Sequence, residues 1–239
     1  IRQVLKLDLP ADSVVSTFFR HHRGLGPRER HALAETAYAV LRQRLSLTHL
    51  VQGGSGAVER RLAALAWQGS DTFLRGALGP HEQKWLAEAK AIDRSTLSEK
   101  LRHNLPDWLA GALKGELGEE FWPLVNALER PASLDLRVNA LKAKREDVRM
   151  ALAEAGIEAV ATPYSPWGLR IEGKPALQKL ELFIRGEVEV QDEGSQLLAA
   201  LVAPKRGEMV VDFCAGAGGK TLALGAMMRN TGRLYAFDV

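Results

Sequence analysis

The sequence predicts a multidomain chain in which an all-α bundle is followed by a small α+β module and then by the start of an α/β domain. Three observations support this fold class. Residues 11–128 show helical periodicity and no alternating strand pattern, alternation with period two begins after Pro131, and a strand, a glycine loop, a helix and a strand follow Gly207. We therefore place the domains at residues 1–128, 129–190 and 191–239.

The first domain is predicted to be a compact bundle of helices joined by short turns. Asp12 or Ser13 is expected to cap the first helix, and Pro27 suits the first position of a second helix that runs to about Leu45. Apolar spacing predicts further helices over 57–68, 71–76, 80–91, from 105, and 121–128.

The second domain is predicted to combine strands with one helix. Leu134 to Asn139 alternates apolar and polar residues, which favours a half-buried strand with Arg137 on its outward face. Arg137 could there touch an RNA backbone, or the face could simply be exposed. A helix is predicted over 144–155, ended by Gly156, and further strands over 157–161, 168–172 and 187–191.

The third domain begins with a helix that Asp192 is expected to cap and that runs to about Val202. Strands are predicted over 209–213 and 234–237, with a helix over about 220–229 between them, and this order favours parallel strands. Two strands cannot bury their own faces, so we expect the chain to be part of a longer protein.

Composition indicates a soluble globular protein. The 239 residues are 46% hydrophobic and 26% charged, with a net charge of +3. No apolar run approaches the roughly 18 residues of a membrane span, and the first ten residues lack a signal-peptide pattern. One cysteine excludes a disulfide framework, and the histidines lack metal-ligand spacing. We expect a cytoplasmic protein with no metal and no membrane partner.

Arginines cluster between residues 20 and 44, where six of them face only two glutamates. Such a cluster is typical of a phosphate-binding surface, although a solvated helical face is an equal alternative. The candidate RNA-binding residues are Arg20, Arg23, Arg28, Arg30 and Arg42, together with Arg137.

The glycine loop after the first parallel strand is the candidate cofactor site. Ligands of doubly wound sheets bind beyond the carboxyl ends of the strands, where Gly216 and Gly218 would let the backbone approach a ligand. The following helix N-terminus offers free N–H groups. Asp238 ends the next strand, twenty residues after Gly218, and is placed to accept hydrogen bonds from ribose hydroxyls.

Three classes of ligand are considered for this loop. The alternative is that its glycines only allow the backbone to turn and that no ligand binds. A dinucleotide motif requires a third glycine where Thr221 stands, and a phosphate-binding P-loop requires glycine in place of Cys214. Asp212 would repel phosphates but attract the ammonium and sulfonium groups of S-adenosylmethionine. We therefore predict S-adenosylmethionine, bound by Cys214, Ala215, Gly216, Ala217, Gly218, Gly219, Lys220 and Asp238.

These residues also carry a resemblance. The run 212–221 resembles the cofactor motif of the NOP/Sun family of RNA cytosine-5 methyltransferases, and 190–197 looks like the segment that precedes their catalytic domain. Residues 134–142 are similar to the RNA-binding module of that family. Residues 10–20, 25–30 and 41–42 resemble the NusB-like RNA-binding domain of its RsmB (Sun/Fmu) branch.

The resemblance implies a Rossmann-like methyltransferase domain and methylation of cytosine carbon 5 in RNA, for this branch in small-subunit ribosomal RNA. The family uses two cysteines from later Pro-Cys and Thr-Cys motifs, which we expect beyond Val239. The chain itself is then expected to be inactive, with Cys214 in a lining role, and to be a monomer. Ala217 departs from the proline of many members. The alternatives are an RNA-binding protein with a degenerate methyltransferase domain and an NAD-binding or nucleotide-binding enzyme.

Overall fold

A computed structural model describes residues 1–173 and 175–239 of the chain. These residues form two compact units, Ile1–Pro131 and Ala132–Val239. Each unit has its own hydrophobic clusters and its own class of secondary structure. The division of the chain into three domains stays a prediction.

In the first unit, every regular element among the described residues is a helix. They are α1 (Arg2–Lys6), α2 (Ala11–His21), α3 (Pro27–Arg42), α4 (Arg44–Leu50), α5 (Val58–Leu65), α6 (Asp71–Ala77), α7 (Pro80–Ala91), α8 (Glu99–His103), α9 (Asp107–Leu117) and α10 (Phe121–Leu128). Short 3-10 turns cover Val51–Gly53, Arg94–Thr96 and Gly118–Glu120. The predicted helical character of residues 11–128 is confirmed.

Apolar faces of these helices meet in two clusters. The larger one includes Val40, Leu47, Val51 and Leu62, which are all at most 2% exposed. The smaller one gathers Ala110, Phe121 and Val125 from α9 and α10. Each large apolar side chain buried in this way contributes roughly 1.5–3 kcal/mol to stability, so packing of the amphipathic faces holds these short helices in place.

Proline and glutamate define the starts of two helices. The backbone N–H of Gly26 donates to the Glu29 carboxylate at 2.6 Å just before Pro27, which confirms the predicted start of α3. The same arrangement recurs before α7, where Gly79 donates to Glu82 at 3.0 Å. Proline at the first helical position lacks only an N–H that would have no partner in the helix.

Two predicted boundaries in this unit are wrong. Helix α2 begins at Ala11 with Pro10 before it, and neither Asp12 nor Ser13 caps it. Helix α3 ends at Arg42, since the chain leaves the helical conformation at Gln43 before α4 begins. The short helices α1 and α8 escaped prediction because five residues are too few to show periodicity.

The second unit begins with a four-stranded antiparallel sheet. Its elements are β1 (Leu134–Val138), α11 (Arg145–Glu154), β2 (Ala159–Ala161), β3 (Gly168–Ile171), α12 (Glu181–Ile184) and β4 (Val188–Val190). The strand order is β2-β3-β1-β4, with Leu136 opposite Leu169 on one side and Val190 on the other. Leu136, Val148, Leu152 and Leu169 form the centre of the core. The short helix α12 was not predicted.

The outward orientation predicted for Arg137 is wrong. The residue is 2% exposed, and its guanidinium donates to Gln191 at 2.6 Å and to the Glu189 carboxylate at 2.5 Å. Strand β1 is a central strand, and both of its faces are covered. Alternation identifies the two faces of a strand but does not reveal that a further layer covers the polar one.

The rest of the second unit is a strand–helix–strand element preceded by a helix. It comprises α13 (Glu193–Val202), β5 (Met209–Asp212), α14 (Gly219–Met227) and β6 (Arg233–Ala236). Asp192 accepts from the Ser195 backbone N–H at 2.8 Å, which confirms the predicted cap of α13. Strands β5 and β6 pair in parallel, as predicted. Met209, Val211 and Phe213 remain exposed, as expected for two strands that cannot bury both of their faces.

Across the described part of the chain, no helix is at once long and apolar enough to pass through a bilayer.

Candidate cofactor site and basic cleft

The glycine loop leaves the end of β5 and turns sharply into α14. The backbone N–H of Ala215 donates to Phe237 at 2.9 Å, and that of Gly218 donates to Ala215 at 2.9 Å. Gly216 has φ +55° and Gly218 has φ +85°, in the left-handed region that favours glycine. The loop therefore depends on glycine at both positions.

Asp238 lies where the sequence predicted it, beyond the carboxyl end of β6. Its carboxylate accepts one hydrogen bond from the backbone N–H of Gly216 and another, at 3.0 Å, from that of Val239. The side chain of Asp238 is exposed, so its remaining lone pairs are open to a ligand. The second strand thus contributes a carboxylate directly beside the glycine loop.

An open cleft of about 480 Å³ lies along the loop. Six of the eight predicted cofactor residues line it, namely Cys214, Ala215, Gly216, Ala217, Gly219 and Lys220. Gly218 precedes α14 as its cap, and Asp238 reaches the loop through its bond to Gly216. The structure therefore gathers all eight predicted positions around one turn of the backbone.

The other residues lining the cleft were not predicted as site residues. They come from the start of β1 and the region around the cap of α13, and they are Ser133, Leu134, Asp135, Val190, Gln191, Asp192 and Ser195. A Cβ placed on Gly219 would lie 3.4 Å from the Gln191 amide nitrogen, so this side chain packs directly on the loop. One signal in the sequence pointed to this region: segment 190–197 resembles the segment that precedes the catalytic domain in the family. The resemblance assigned no binding role to its residues.

Asp212 does not have the role that the charge argument gave it. Its carboxylate is buried and accepts a hydrogen bond from the Thr221 hydroxyl at 2.6 Å, and it does not line the cleft. It therefore joins the end of β5 to the first turn of α14. A carboxylate is favoured near a helix N-terminus because the helix dipole is positive there, which gives Asp212 a structural role.

Two other carboxylates do line the cleft, those of Asp135 and Asp192, beside the ammonium group of Lys220. Asp135 accepts two hydrogen bonds from Arg170, at 2.7 and 2.9 Å, and these bonds hold its pKa below the usual value. Asp135 therefore carries its charge at neutral pH. Carboxylates in the lining repel a ligand that carries several phosphates and attract a ligand that carries positive groups.

A buried polar network fixes the wall formed by α13. Burial raises the pKa of Glu193, but hydrogen bonds from the backbone N–H groups of Ser165 and Tyr164 outweigh it and hold the pKa below normal. Gln196 is fully buried and donates to the carbonyls of Leu136 and Gln191. Satisfied buried groups of this kind restrict a structure to one arrangement.

Cys214 carries an exposed free thiol at the cleft. It lies between β5 and the glycine turn, among the residues predicted to contact the cofactor.

The described residues contain no group of three or more histidine, cysteine, aspartate or glutamate side chains that could hold a metal.

The basic cluster of the first unit is partly gathered into one cleft. Arg20, Arg23 and Arg30 line a space of about 460 Å³, together with Asp12, Val15, Ser16 and Phe19. The Arg30 guanidinium lies 5.6 Å from the Phe19 ring centroid, and its Nε donates to the Leu25 carbonyl at 2.9 Å. A cation–π contact and a hydrogen bond therefore orient this guanidinium.

The other predicted RNA-binding residues lie elsewhere. Arg28 is exposed but does not line this cleft. Arg42 is half-buried, 3.7 Å from the Glu35 carboxylate, which neutralises part of its charge. Arg137 belongs to the second unit and is buried there. The structure thus brings together three of the six.

Part of the chain matches a known family of domains. Residues 105–178 match a family model described as the Methyltr_RsmF/B-like, ferredoxin-like domain. The β-α-β-β-α-β order of the antiparallel sheet, with β1 and β3 central, agrees with that description.

Curated relatives match a larger share of the chain. A probable ribosomal RNA small subunit methyltransferase B from Synechocystis is 32% identical over 178 residues, which is 72% of this chain and 39% of the relative. The ribosomal RNA small subunit methyltransferase B of Pasteurella multocida is 41% identical over 124 residues, 52% of this chain and 27% of the relative. The predicted resemblance to the RsmB branch of the NOP/Sun family is confirmed.

Solved structures resemble the RsmB-like chain as well. The crystal structure of PH0851 aligns with TM-score 0.69 at 25% identity and covers 92% of this chain and 57% of that one. A methyltransferase homolog protein from Pyrococcus horikoshii aligns with TM-score 0.54 at 30% identity and covers 62% and 48%. The RsmB-like chain spans less than half the length of the two curated relatives above.

Proposed function

We propose that the protein containing this RsmB-like chain transfers a methyl group from S-adenosylmethionine to carbon 5 of a cytosine in small-subunit ribosomal RNA. The cleft along the glycine loop is the observation that carries the proposal, since its backbone and its carboxylates suit that cofactor. The names of the curated relatives support ribosomal RNA as the substrate. Carbon 5 as the acceptor follows from the family resemblance.

The cofactor residues are those of the loop and of the strand beside it. When bound, S-adenosylmethionine supplies an electrophilic methyl group on its sulfonium. Gly216 and Gly218 keep side chains away from the backbone that would contact it, and Asp238 presents an exposed carboxylate that can accept from ribose hydroxyls. Lys220 is assigned to the cofactor carboxylate because it lines the same cleft.

The charge of the cleft favours S-adenosylmethionine over NAD or ATP. Asp192 and Lys220 stand in its lining together with Asp135, whose carboxylate is paired with Arg170. A pyrophosphate in the cleft would be repelled by the Asp192 carboxylate. An ammonium or sulfonium group would be attracted.

The base-attacking nucleophile is expected to come from residues outside this chain. Cys214 is the one cysteine in the sequence, and it lies in the cofactor loop, where a thiol would face the methyl donor rather than carbon 6 of the acceptor base. We therefore infer that Cys214 lines the cofactor cleft and that the 239-residue chain has no methyltransferase activity by itself.

RNA is assigned to the basic cleft of the NusB-like first domain. Arg20, Arg23 and Arg30 converge there with one acid, Asp12. Arginine groups bind phosphate oxygens through two parallel hydrogen bonds, so three of them suit one or two backbone phosphates. The cytoplasm and a monomeric state remain expectations of this proposal.

The proposal is tested by incubating the full-length protein with radiolabelled S-adenosylmethionine and unmodified small-subunit ribosomal RNA, and by mapping the product. We expect 5-methylcytosine at one site, and no incorporation with the 239-residue chain. Incorporation at another atom or in another RNA class would contradict the proposal. Cofactor binding without any methyl transfer would favour an RNA-binding protein with a degenerate methyltransferase domain.

A further inference from the structure

A second pocket of the first unit has no part in the proposed methyl transfer. It encloses about 240 Å³ between the Arg94–Thr96 turn, the end of α8 and helix α10. Polar and apolar groups both line it: Ser46, Arg94, Ser95, Leu97, Leu101, Arg102, Asn104, Trp122, Asn126 and Glu129. This volume suits one flat ring system with its hydrogen-bonding edge.

Arg102 and Trp122 contact each other in the lining of the pocket. The Arg102 guanidinium lies 4.4 Å from the ring centroid of Trp122, close enough for a cation–π contact. Arg102 is exposed and Trp122 is half-buried, so the contact leaves one guanidinium face toward the solvent side. Guanidinium planes held in this way are surfaces on which unpaired RNA bases stack.

The pocket lining also includes an oriented carboxylate, that of Glu129. Asn104 accepts from the backbone N–H and the hydroxyl of Ser46, at 3.0 and 3.2 Å, and donates to Oε1 of Glu129 at 2.5 Å. Asn104 itself ends α8 with φ +53°, a conformation that asparagine tolerates better than most residues. These bonds fix the direction of the Glu129 carboxylate while its Oε2 has no partner among the described residues.

A cation stands at the rim. One nitrogen of the Arg94 guanidinium donates to the Gln43 side chain at 2.7 Å, which anchors the group and leaves its other donors available. The lining therefore holds two guanidinium groups against one carboxylate. That balance suits a ligand that carries a phosphate beside a neutral ring.

We propose that this pocket binds one unpaired guanine of RNA. The base stacks on Arg102, the Glu129 carboxylate accepts from the guanine N1–H and the exocyclic amino group, and Arg94 contacts the adjoining phosphate. Guanine is the standard base whose Watson–Crick edge offers two neighbouring donors to a carboxylate. The inference rests on RNA being a ligand of the proposed function but requires no methyl transfer.

The test uses the complete 239-residue chain, without cofactor, and fluorescent six-nucleotide RNAs of uridine with guanosine, inosine or adenosine at one central position. Fluorescence anisotropy should show roughly tenfold tighter binding of the guanosine RNA than of the adenosine RNA. Inosine should lie between them because it keeps N1–H and lacks the amino group. Equal affinity for all three RNAs would overturn the proposal.

Three variants locate the effect. Glu129→Gln keeps an acceptor for Asn104 but loses one acceptor of the carboxylate, so the guanosine preference should vanish. Arg102→Lys keeps the positive charge but removes the planar guanidinium. It should therefore weaken the binding of every RNA that has a purine at the central position. Glu119→Gln, at an exposed position of the Gly118–Glu120 turn, is the matched control and should change nothing. A preference that survives Glu129→Gln would exclude this pocket.

These outcomes are independent of the cofactor. A chain that shows no guanine preference but whose full-length protein binds S-adenosylhomocysteine would remove the pocket and leave the proposed function standing. The reverse result would remove the cofactor assignment alone. Circular dichroism of each variant establishes that the helical fold is retained before affinities are compared.

Discussion

The carboxylate of Asp238 accepts a hydrogen bond from the backbone N–H of Gly216. This bond joins the end of β6 to the glycine loop that follows β5, although 22 residues separate the two. A site assembled from two strand ends in this way is arranged before a ligand arrives, and less ordering has to accompany binding.

Gly218→Ala tests the conformation of the loop. Because Gly218 has φ +85°, alanine there should cost roughly 1–2 kcal/mol, and the loop should shift to relieve that strain. We expect a lower melting temperature and weaker binding of S-adenosylhomocysteine by the full-length protein, measured by calorimetry. Gly24→Ala is the control, since a Cβ there meets open space and should leave both quantities unchanged.

Arg20→Ala combined with Arg23→Ala tests the basic cleft. Removal of two cations that line one cleft should weaken RNA binding and reduce the slope of log affinity against log salt by about two. The measurement is a filter-binding titration at several salt concentrations. Arg75→Ala with Lys90→Ala removes two exposed charges elsewhere in the unit. If that pair weakens binding equally, the cluster is an ordinary solvated face.

Asp135→Asn tests the ion pair with Arg170. The pKa of Asp135 is lowered in the folded state, chiefly by the Arg170 hydrogen bonds, so its contribution to stability is present above the unfolded pKa near 3.9 and is lost as pH falls. We expect a loss of about 1–3 kcal/mol at pH 7 that shrinks below about pH 4.

Urea unfolding of both proteins between pH 3 and 7 measures the stability difference. Glu154→Gln removes an exposed carboxylate of α11 and serves as the control, with a difference near zero at every pH. A difference for Asp135→Asn that stays constant across this range would show that the carboxylate charge does not stabilise the fold.

Alkylation of Cys214 tests the role assigned to its thiol. The thiol is exposed and lines the cofactor cleft, so iodoacetamide should modify it in the full-length protein. S-adenosylhomocysteine at ten times its dissociation constant should slow the modification roughly tenfold, as followed by peptide mass spectrometry. Protection by NAD instead would make this loop a dinucleotide site, and protection by neither ligand would place the cofactor away from the loop.

Features of the fold that depend on a few neighbouring residues could be predicted from the sequence, and features that depend on distant contacts could not. Pro27, Pro80 and Asp192 act within one helical turn, and the helix starts they indicated are those observed. The parallel pair was predicted from the order of its elements. Helix α1 and the break at Gln43 carry no periodic or capping signal, because packing of neighbouring helices determines them.

The cofactor loop was predictable for a similar reason, since its glycines and Asp238 are set by backbone geometry. The opposite wall was not. Gln191 is held beside the loop by a hydrogen bond from Arg137, and Gln196 of α13 donates to the Leu136 carbonyl of β1. Alternation in one strand cannot reveal this tertiary arrangement. The same arrangement buries Arg137 and removes it from the RNA-binding surface.

Calorimetry of the full-length protein with S-adenosylhomocysteine, NAD and ATP, repeated with Asp238→Ala and with the exposed control Asp147→Ala, tests the central claim most directly. We expect one S-adenosylhomocysteine site, no heat from NAD or ATP, and an affinity reduced roughly tenfold or more by Asp238→Ala alone. Absence of binding by S-adenosylhomocysteine, or equal binding by NAD, would contradict the account.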